Sequence, residues 1–184
     1  MNAQGHARPS DPLPRRFSGG MLRRLVPGDL AAFQAYRSDP GLARFQGWTS
    51  TSDEEALAFL TGMQEAALFV PGTWVQIAIA RDTDHALAGD LGLCLSDDGR
   101  DVEIGFTLSR PAQGRGLATA AVGAAMALVF DDSAAERVVG ITDARNHASI
   151  RVLERAGMTR AETRHVVFRG APCLEFVYVR ARPR

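Results

Sequence analysis

The sequence predicts a single α/β domain of the α+β type, in which helices precede and follow a run of strands. Its 184 residues are 46% hydrophobic and 23% charged, which is typical of one domain with a well-buried core. From Thr73 to Leu108 apolar and polar residues alternate between turn signals, which predicts an antiparallel meander of three strands. A glycine turn and an alanine-rich helix follow directly, so a strand–turn–helix unit is also expected.

Local signals place the elements before the meander. Residues 1–16 hold three prolines among polar residues and show no period, which predicts a loose N-terminal arm and leaves 17–184 as the single domain. A short strand is expected over Met21–Val26. The apolar spacing that begins at Leu30 predicts a helix, which should end before Pro40 because proline disfavours a helical residue before it.

A capping box marks the second helix, since Ser52 can accept from the backbone of Glu55 while the Glu55 carboxylate reaches back. This helix is expected to end near Pro71. Alternation, β-branched runs and glycine stops predict the later elements. In order they are strands at Val75–Ile79, Leu87–Leu95 and Val102–Leu108, a helix over Leu117–Phe130, a strand over Arg137–Ile141, a helix over Asn146–Ala156, and a hairpin of Met158–Phe168 with Leu174–Val179 that turns at Gly170-Ala171-Pro172.

The charge composition excludes several functions. All 21 basic residues are Arg and they balance 21 acidic residues, so no nucleic-acid partner is expected. Because the chain has no Lys, Schiff-base chemistry and a Walker-type phosphate loop are excluded. The longest apolar stretch is shorter than the ~20 residues of a membrane span, and the first residues lack a signal-peptide pattern; we expect a cytoplasmic protein without membrane contact. The four His and two Cys show no ligand spacing, so no metal is expected.

The turn after the meander is a candidate anion site. Gly114 and Gly116 allow a sharp turn and close approach of a ligand, and the helix that follows offers unpaired amides and the positive end of its dipole. Arg115 could add a charge-assisted contact. An ordinary glycine turn before a helix explains the residues equally well. A Rossmann dinucleotide fingerprint fits poorly, because the third glycine is missing and the turn follows a meander.

The segment from Asn146 to Gly157 is a second candidate. Asn146 is a good helix N-cap and Gly157 a typical C-cap, so structure alone accounts for both. Ser149 lies in the first turn of the helix, where its hydroxyl could reach the backbone or a ligand.

These pieces together resemble the GNAT N-acetyltransferase superfamily. The resemblance covers roughly Met21–Val179 and rests on the order and spacing of Gln113-x-x-Gly116-x-Ala118, Asn146-x-x-Ser149 and Gly157-Met158. Other segments resemble the branch of Rim-type (RimJ/RimL-like) ribosomal-protein N-acetyltransferases. They are Tyr36-Arg37-Ser38-Asp39-Pro40, Trp48 before the capping box, and Val102-Glu103-Ile104-Gly105-Phe106.

The resemblance implies a twisted, mixed, mostly antiparallel sheet of about seven strands flanked by four helices. Acetyl-CoA would lie in a V-shaped cleft where the strand Val102–Leu108 splays from the strand Arg137–Ile141, and no metal would be needed. An amine acceptor, a small molecule or a protein N terminus, would enter from the opposite side. The residues implied to bind the cofactor are Phe106, Thr107 and Leu108 for the pantetheine arm, Gln113, Gly114, Arg115, Gly116, Leu117, Ala118 and Thr119 for the pyrophosphate, and Asn146 and Ser149 at the thioester.

The catalytic residues expected from the resemblance are Glu103, Ser149 and Asn146. Many superfamily members carry a Tyr that protonates the leaving thiolate at the position of Leu153 here, so Ser149 becomes the candidate hydrogen bond to the sulfur. The amine must lose a proton before it attacks, and Glu103 is the candidate base. A surface Glu explains Glu103 almost as well. The other bases considered are Asp90, which could instead mark a strand kink, and His147 and His165.

Two alternatives stay open from the sequence. Tyr36, Phe45 and Trp48 could lie over the acceptor mouth or form a small core cluster. The loss of the Tyr at Leu153 leaves room for a non-catalytic CoA-binding sensor or scaffold instead of an enzyme. A homodimer is expected from the resemblance alone.

Overall fold

The computed structural model describes residues 11–183, which form one eight-stranded sheet with helices on both faces. The strands are β1 (Arg15–Phe17), β2 (Gly20–Arg24), β3 (Trp74–Arg81), β4 (Leu87–Leu95), β5 (Asp101–Leu108), β6 (Arg137–Asp143), β7 (Thr159–Phe168) and β8 (Ala171–Ala181). The α-helices are α1 (Leu30–Arg37), α2 (Pro40–Ala43), α3 (Asp53–Glu65), α4 (Leu117–Asp132) and α5 (His147–Arg155), with 3₁₀ turns at Pro27–Asp29 and Arg110–Ala112.

The sheet order is β1-β2-β3-β4-β5-β6-β8-β7, and every neighbouring pair is antiparallel except β5 with β6. That parallel pair requires a crossover, which α4 supplies. The two strands pair only over Asp101–Ile104 and Arg137–Gly140. Beyond these residues β5 continues along β4 while β6 continues along β8, so a V-shaped cleft opens between them. The predicted mixed sheet and its splay are confirmed.

Apolar side chains bury both faces of the sheet. On one face α4 packs its small residues, including Ala121 and Ala125, against the alternating leucines and isoleucines of β3, β4 and β5. On the other face Phe33 of α1 and Leu60 of α3 cover Ala78 and Leu87. The helix α5 sits close to β6, because a Cβ at Gly140 would lie only 2.7 Å from Leu153 Cδ2. Packed helices therefore hold both strands that form the cleft, α4 against β5 and α5 against β6.

The N-terminal arm differs from the prediction. Residues 1–10 lie outside the described part of the chain, but residues 11–16 do not form a loose segment. Leu13 is buried, and Arg15 and Arg16 pair with β2 in a hairpin that raises the strand count from the expected seven to eight. Asp11 forms an ion pair with Arg24 at 3.0 Å. The sequence did not predict this strand, because three residues are too few to show an alternating pattern and prolines precede them.

One helix is additional and one helix boundary differs. Asp39 accepts hydrogen bonds from the backbone of Gly41 and Leu42, which caps the short helix α2, a fifth helix where four were expected. Pro40 was interpreted as a stop, although proline is equally suited to the first position of a new helix. The helix α3 starts at the predicted capping box but ends at Glu65, well before Pro71.

The last hairpin turns one residue earlier than predicted. Arg169 and Gly170 form a two-residue turn with φ values of 51° and 78°, and Ala171 and Pro172 already pair with β7. Two successive left-handed residues are what a tight hairpin of this twist requires. Gly170 suits this conformation and Arg169 does not. The turn was therefore predicted from Gly170 and Pro172, and Arg169 was not recognised as its first residue.

Candidate functional site

The cleft between the splayed strands has a volume of about 690 Å³. Its walls are the free half of β5, the start of α4, one side of α5 and the loop after α2. All residues that the resemblance assigns to the cofactor line it, except Arg115. They are Phe106, Thr107, Leu108, Gln113, Gly114, Gly116, Leu117, Ala118, Thr119, Asn146 and Ser149.

The glycine turn forms the cleft wall at the start of α4. Gly114 and Gly116 both have φ of 79°, and a Cβ added at either would meet no atom within 4 Å. Gly116 is the N-cap of α4 and supplies no side-chain acceptor to the amides of the first turn. The Gln113 side chain donates to Leu108 O at 2.9 Å, which holds the turn against the end of β5. An open, amide-lined concavity at a helix N-terminus suits an anion.

Cationic side chains lie along the rest of the cleft. Arg110, Arg151 and Arg155 all line it, and Arg110 forms an ion pair with Asp39. Within residues 11–183, Arg151 and Arg155 have no ion-pair partner. They are four residues apart on α5 and so share a face of that helix. Sequence reasoning did not single out these two residues, although the i, i+4 spacing in the helix after Asn146 could have done so.

A smaller pocket of about 90 Å³ adjoins the cleft on the side of β6 and β8. Both cavities share five lining residues, so the pocket and the cleft meet there. These residues are Phe45, Gln46, Phe106, Asn146 and Ser149. Asn146 caps α5, because its Oδ1 accepts from the backbone of Ser149 at 3.2 Å. The Ser149 hydroxyl makes no hydrogen bond within the described residues, which leaves it available at the junction.

Glu103 lies close to this pocket but lines neither cavity. It shares a face of β5 with Gly105, which does line the pocket, and a rise of two residues along the strand places them about 7 Å apart. Burial raises the pKa of Glu103, the negative charge of Glu175 raises it further, and Arg164 opposes both. A half-buried carboxylate with a raised pKa is a stronger base than an exposed one, which suits a proton acceptor.

The other predicted bases lie on three different elements. Asp90 is buried on β4, where it forms an ion pair with Arg37. His147 is the exposed first residue of α5, and His165 is exposed on β7. None of them lines the pocket.

The three aromatic residues before the meander have different positions. Phe45 lines both cavities, whereas Tyr36 belongs to the core cluster under α1. Trp48 stacks on the Arg37 guanidinium, with 4.5 Å between the guanidinium carbon and the ring centroid. Phe45 therefore fits the interpretation as a residue at the mouth of the site, and Tyr36 fits the interpretation as part of a core cluster.

The final hairpin brings residues into the pocket that sequence reasoning missed. Phe168, Cys173 and Glu175 line it together with Asp143 of β6. The pKa of Asp143 is lowered, chiefly by hydrogen bonds from Arg145, so this carboxylate is already engaged. Glu175 forms no ion pair within residues 11–183. Cys173 is partly buried in the pocket wall.

Leu153 forms part of the pocket wall near Ser149, and it supplies no ionisable group there. This side chain is 1% exposed and lies against Gly140, where it lines the pocket as an apolar surface. Across residues 11–183 no group of three or more His, Cys, Asp or Glu side chains comes together as a metal site. No helix in that same range is long and apolar enough to cross a membrane.

Comparisons with known proteins agree with this geometry. The sequence profile described as "Acetyltransferase (GNAT) domain" matches residues 21–159. Among curated proteins, none matches the chain significantly in sequence. A GNAT-family acetyltransferase from Bacillus anthracis superposes with a TM-score of 0.81 at 17% identity, over 92% of this chain and 99% of that one.

Two similar structures contain ligands. RimL, a ribosomal L7/L12 alpha-N-protein acetyltransferase in complex with coenzyme A, has a TM-score of 0.75 at 20% identity, over 89% of this chain and 94% of that one. The microcin C7 self-immunity acetyltransferase MccE, in complex with acetyl-CoA and AMP, has a TM-score of 0.75 at 15% identity, over 89% of this chain and 92% of that one. At these identities the likeness establishes a shared fold.

Proposed function

The chain belongs to the GNAT acetyltransferase family, and from this premise we propose that it transfers an acetyl group from acetyl-CoA to a primary amine by direct attack. The acceptor is a small molecule or a protein N terminus, as in the Rim-type branch. The observation that carries the proposal is the meeting of a large cleft and a small pocket at Asn146 and Ser149. A donor in one cavity and an acceptor in the other would bring their reacting groups together there.

The large cleft suits the donor. Its volume falls within the ~300–1,000 Å³ typical of ligand sites, and its amide-lined turn suits a pyrophosphate. The backbone of Phe106 to Leu108 would pair with the pantetheine arm, because β5 has no strand partner on its cleft side there. Arg151 and Arg155 add positive charge for the phosphates of the nucleotide end.

The small pocket suits the acceptor. The amine nitrogen attacks the thioester carbonyl carbon, the C–N bond forms, the C–S bond breaks and the CoA thiolate leaves. Ser149 donates a hydrogen bond to the sulfur, and Asn146 holds the first turn of α5 that positions this hydroxyl. Glu103 takes the amine proton through one water, since it lies just outside the pocket wall.

A second function, a CoA-binding sensor or scaffold without turnover, is favoured by one observation. Leu153 puts an apolar side chain where many family members have an acid for the leaving group. Thiol release from acetyl-CoA with a panel of amines separates the two functions. Release that depends on both the amine and Ser149 supports the enzyme, whereas CoA binding without release supports the sensor.

Saturating CoA should raise the melting temperature of the protein. At ~100 times its dissociation constant a ligand stabilises by about 2.7 kcal/mol, which corresponds to roughly 5–11 °C for a domain of this size. Gly116→Val should abolish the shift, because the side chain would fill the concavity at the start of α4. NADH should give no shift. Differential scanning fluorimetry measures all three.

Gly99→Val is the matched control for this substitution. Gly99 has φ of 73°, meets no atom within 4 Å of an added Cβ, and lies in the turn between β4 and β5. Both variants therefore carry a similar backbone penalty, but only Gly116→Val obstructs the cleft. A full CoA shift in Gly116→Val would argue against a pyrophosphate site at the glycine turn. Loss of the CoA shift in Gly99→Val would argue against it as well.

The oligomeric state and the cellular location stay predictions. We propose a homodimer on the resemblance alone, and a cytoplasmic location on the sequence pattern described above. Light scattering at micromolar concentration should return about twice the monomer mass of 19.8 kDa. A monomer mass under these conditions would contradict it.

A further inference from the structure

We propose that Arg169 is a positioning residue that fastens the loop 44–51 to the β7–β8 hairpin and thereby shapes the acceptor pocket. The inference rests on the proposed function, since it assigns the small pocket to the acceptor. The loop 44–51 connects α2 with α3, and Arg169 lies more than 100 residues further along the chain.

The guanidinium of Arg169 connects the two segments directly. Its Nη2 donates to Gln46 O at 2.9 Å and to Trp48 O at 2.7 Å. One charged donor group therefore binds two carbonyls of the same loop, which restricts both the distance and the rotation of the loop relative to the hairpin. Hydrogen bonds from a charged group are stronger than those between neutral groups.

The backbone of Arg169 is in a conformation that disfavours its residue type. Its φ of 51° lies in the left-handed region, which is unfavourable for a residue with a Cβ other than Asn or Asp. Asn or Gly is the usual first residue of a two-residue turn of this kind. The hairpin itself would therefore be more favourable without Arg169, and the two bonds to the loop account for the presence of a guanidinium there.

Both connected segments form walls of the pocket. Phe45 and Gln46 line it from the loop, and Phe168 and Cys173 line it from the two sides of the turn that Arg169 begins. A shift of the loop away from the hairpin would widen the pocket between these walls. The amine would then be held less firmly at the junction with the cleft.

The loop is also anchored from beneath. Trp48 stacks on the Arg37 guanidinium, and Arg37 forms a buried ion pair with Asp90 in the middle of β4. Removal of Arg169 therefore frees the outer side of the loop while its inner anchor stays. Phe45 and Gln46 of the loop also line the cleft, but within residues 11–183 the glycine turn at the start of α4 makes no hydrogen bond with Arg169, so the contacts proposed for the pyrophosphate should persist.

The test compares Arg169→Gly with His85→Gly. Arg169→Gly removes the guanidinium and suits the left-handed backbone, so the fold should not suffer. His85 has φ of 57° in the turn between β3 and β4 and does not line the pocket. His85→Gly therefore makes the same backbone change and leaves the hydrogen bonds from Arg169 to the loop in place. We expect Arg169→Gly to raise the KM for the most active amine of the panel about tenfold, the equivalent of ~1.4 kcal/mol. Most of the CoA-induced melting shift should remain, because the glycine turn is unaltered, and Arg169→Lys should restore part of the acceptor affinity.

A second readout is independent of turnover. Trp74→Phe leaves Trp48 as the single tryptophan of the chain, so acrylamide quenching then reports on the loop. Quenching should increase in Arg169→Gly and stay constant in His85→Gly. Unchanged quenching, an unchanged acceptor KM, or an equal change in His85→Gly would overturn the proposal. If the parent protein releases no thiol with any amine, the proposed function fails, and the quenching result still decides whether Arg169 holds the loop.

Discussion

Glu103→Gln should lower the rate of acetyl transfer at pH 7 by about 10²- to 10⁴-fold, the contribution of a positioned general base. A primary ammonium has a pKa near ~10 and is mostly protonated at pH 7, so the reaction needs a proton acceptor. Glutamine keeps the shape of Glu103 and removes its basicity. The loss of rate in Glu103→Gln should therefore become smaller as the pH rises toward the pKa of the amine, because more of the acceptor is then already deprotonated.

The acid side of the pH profile should report Glu103 itself. A base acts only when it is ionised, so activity falls as the pH drops through its pKa. Burial and the charge of Glu175 raise the pKa of Glu103, so this fall should occur above the usual range of a glutamate. Glu175→Gln removes one of the raising charges and should move the fall to lower pH, with CoA binding intact.

Ser149→Ala provides the contrast. It removes a hydrogen bond to the departing sulfur, and its smaller loss should stay constant with pH. Steady-state kinetics from pH 5 to 10 and the CoA melting shift of each variant make the comparison. If Glu103→Gln loses activity by a constant factor, or not at all, Glu103 is structural and the proton leaves by another route.

Asp90→Ala should destabilise the fold by about 3–5 kcal/mol, because it leaves the guanidinium of Arg37 buried without its partner. Arg37 and Asp90 are 8% and 3% exposed and join α1 to the central strand β4. The loss corresponds to roughly 6–20 °C in melting temperature. The variant Arg37→Met/Asp90→Ala should lose less than the sum of the two single changes.

The two single variants should respond differently to pH. In Arg37→Met the carboxyl of Asp90 stays buried, and burial raises its pKa above the unfolded value. A raised carboxyl pKa costs stability at neutral pH, and this cost vanishes as the pH falls to the unfolded value. The guanidinium left in Asp90→Ala cannot lose its proton, so that penalty should stay constant.

Chemical denaturation from pH 4 to 8 measures both penalties. Glu136→Ala is the control, since it breaks the Arg100–Glu136 ion pair, whose side chains are 61% and 57% exposed. Exposed pairs contribute about 0–1 kcal/mol. A loss in Asp90→Ala no larger than in Glu136→Ala would show that the buried pair has little effect on stability.

Local chemistry made much of the fold predictable. The capping box at Ser52 starts α3, Asn146 caps α5, and the alternation after Thr73 forms β3 to β5. The glycine turn before α4 was identified by residue type alone, because only glycine adopts its backbone angles without strain. Where two local signals competed, as at Pro40 and in the last hairpin, the prediction was displaced by a few residues.

The sequence by itself determined the fold class, the order of the elements and the glycine turn at the start of α4, where we propose that the donor binds. Each of these depends on residues within one turn, strand or helix, whose signals act over a few positions. The small pocket, where we propose that the acceptor binds, was decided only by the tertiary structure. It joins the loop after α2, the end of β6 and the β7–β8 hairpin, and no local pattern states which of these distant segments meet. Long-range pairing of β6 with β8 brings Glu175 toward Glu103 and Arg169 to the loop, and such contacts depend on packing over the whole sheet.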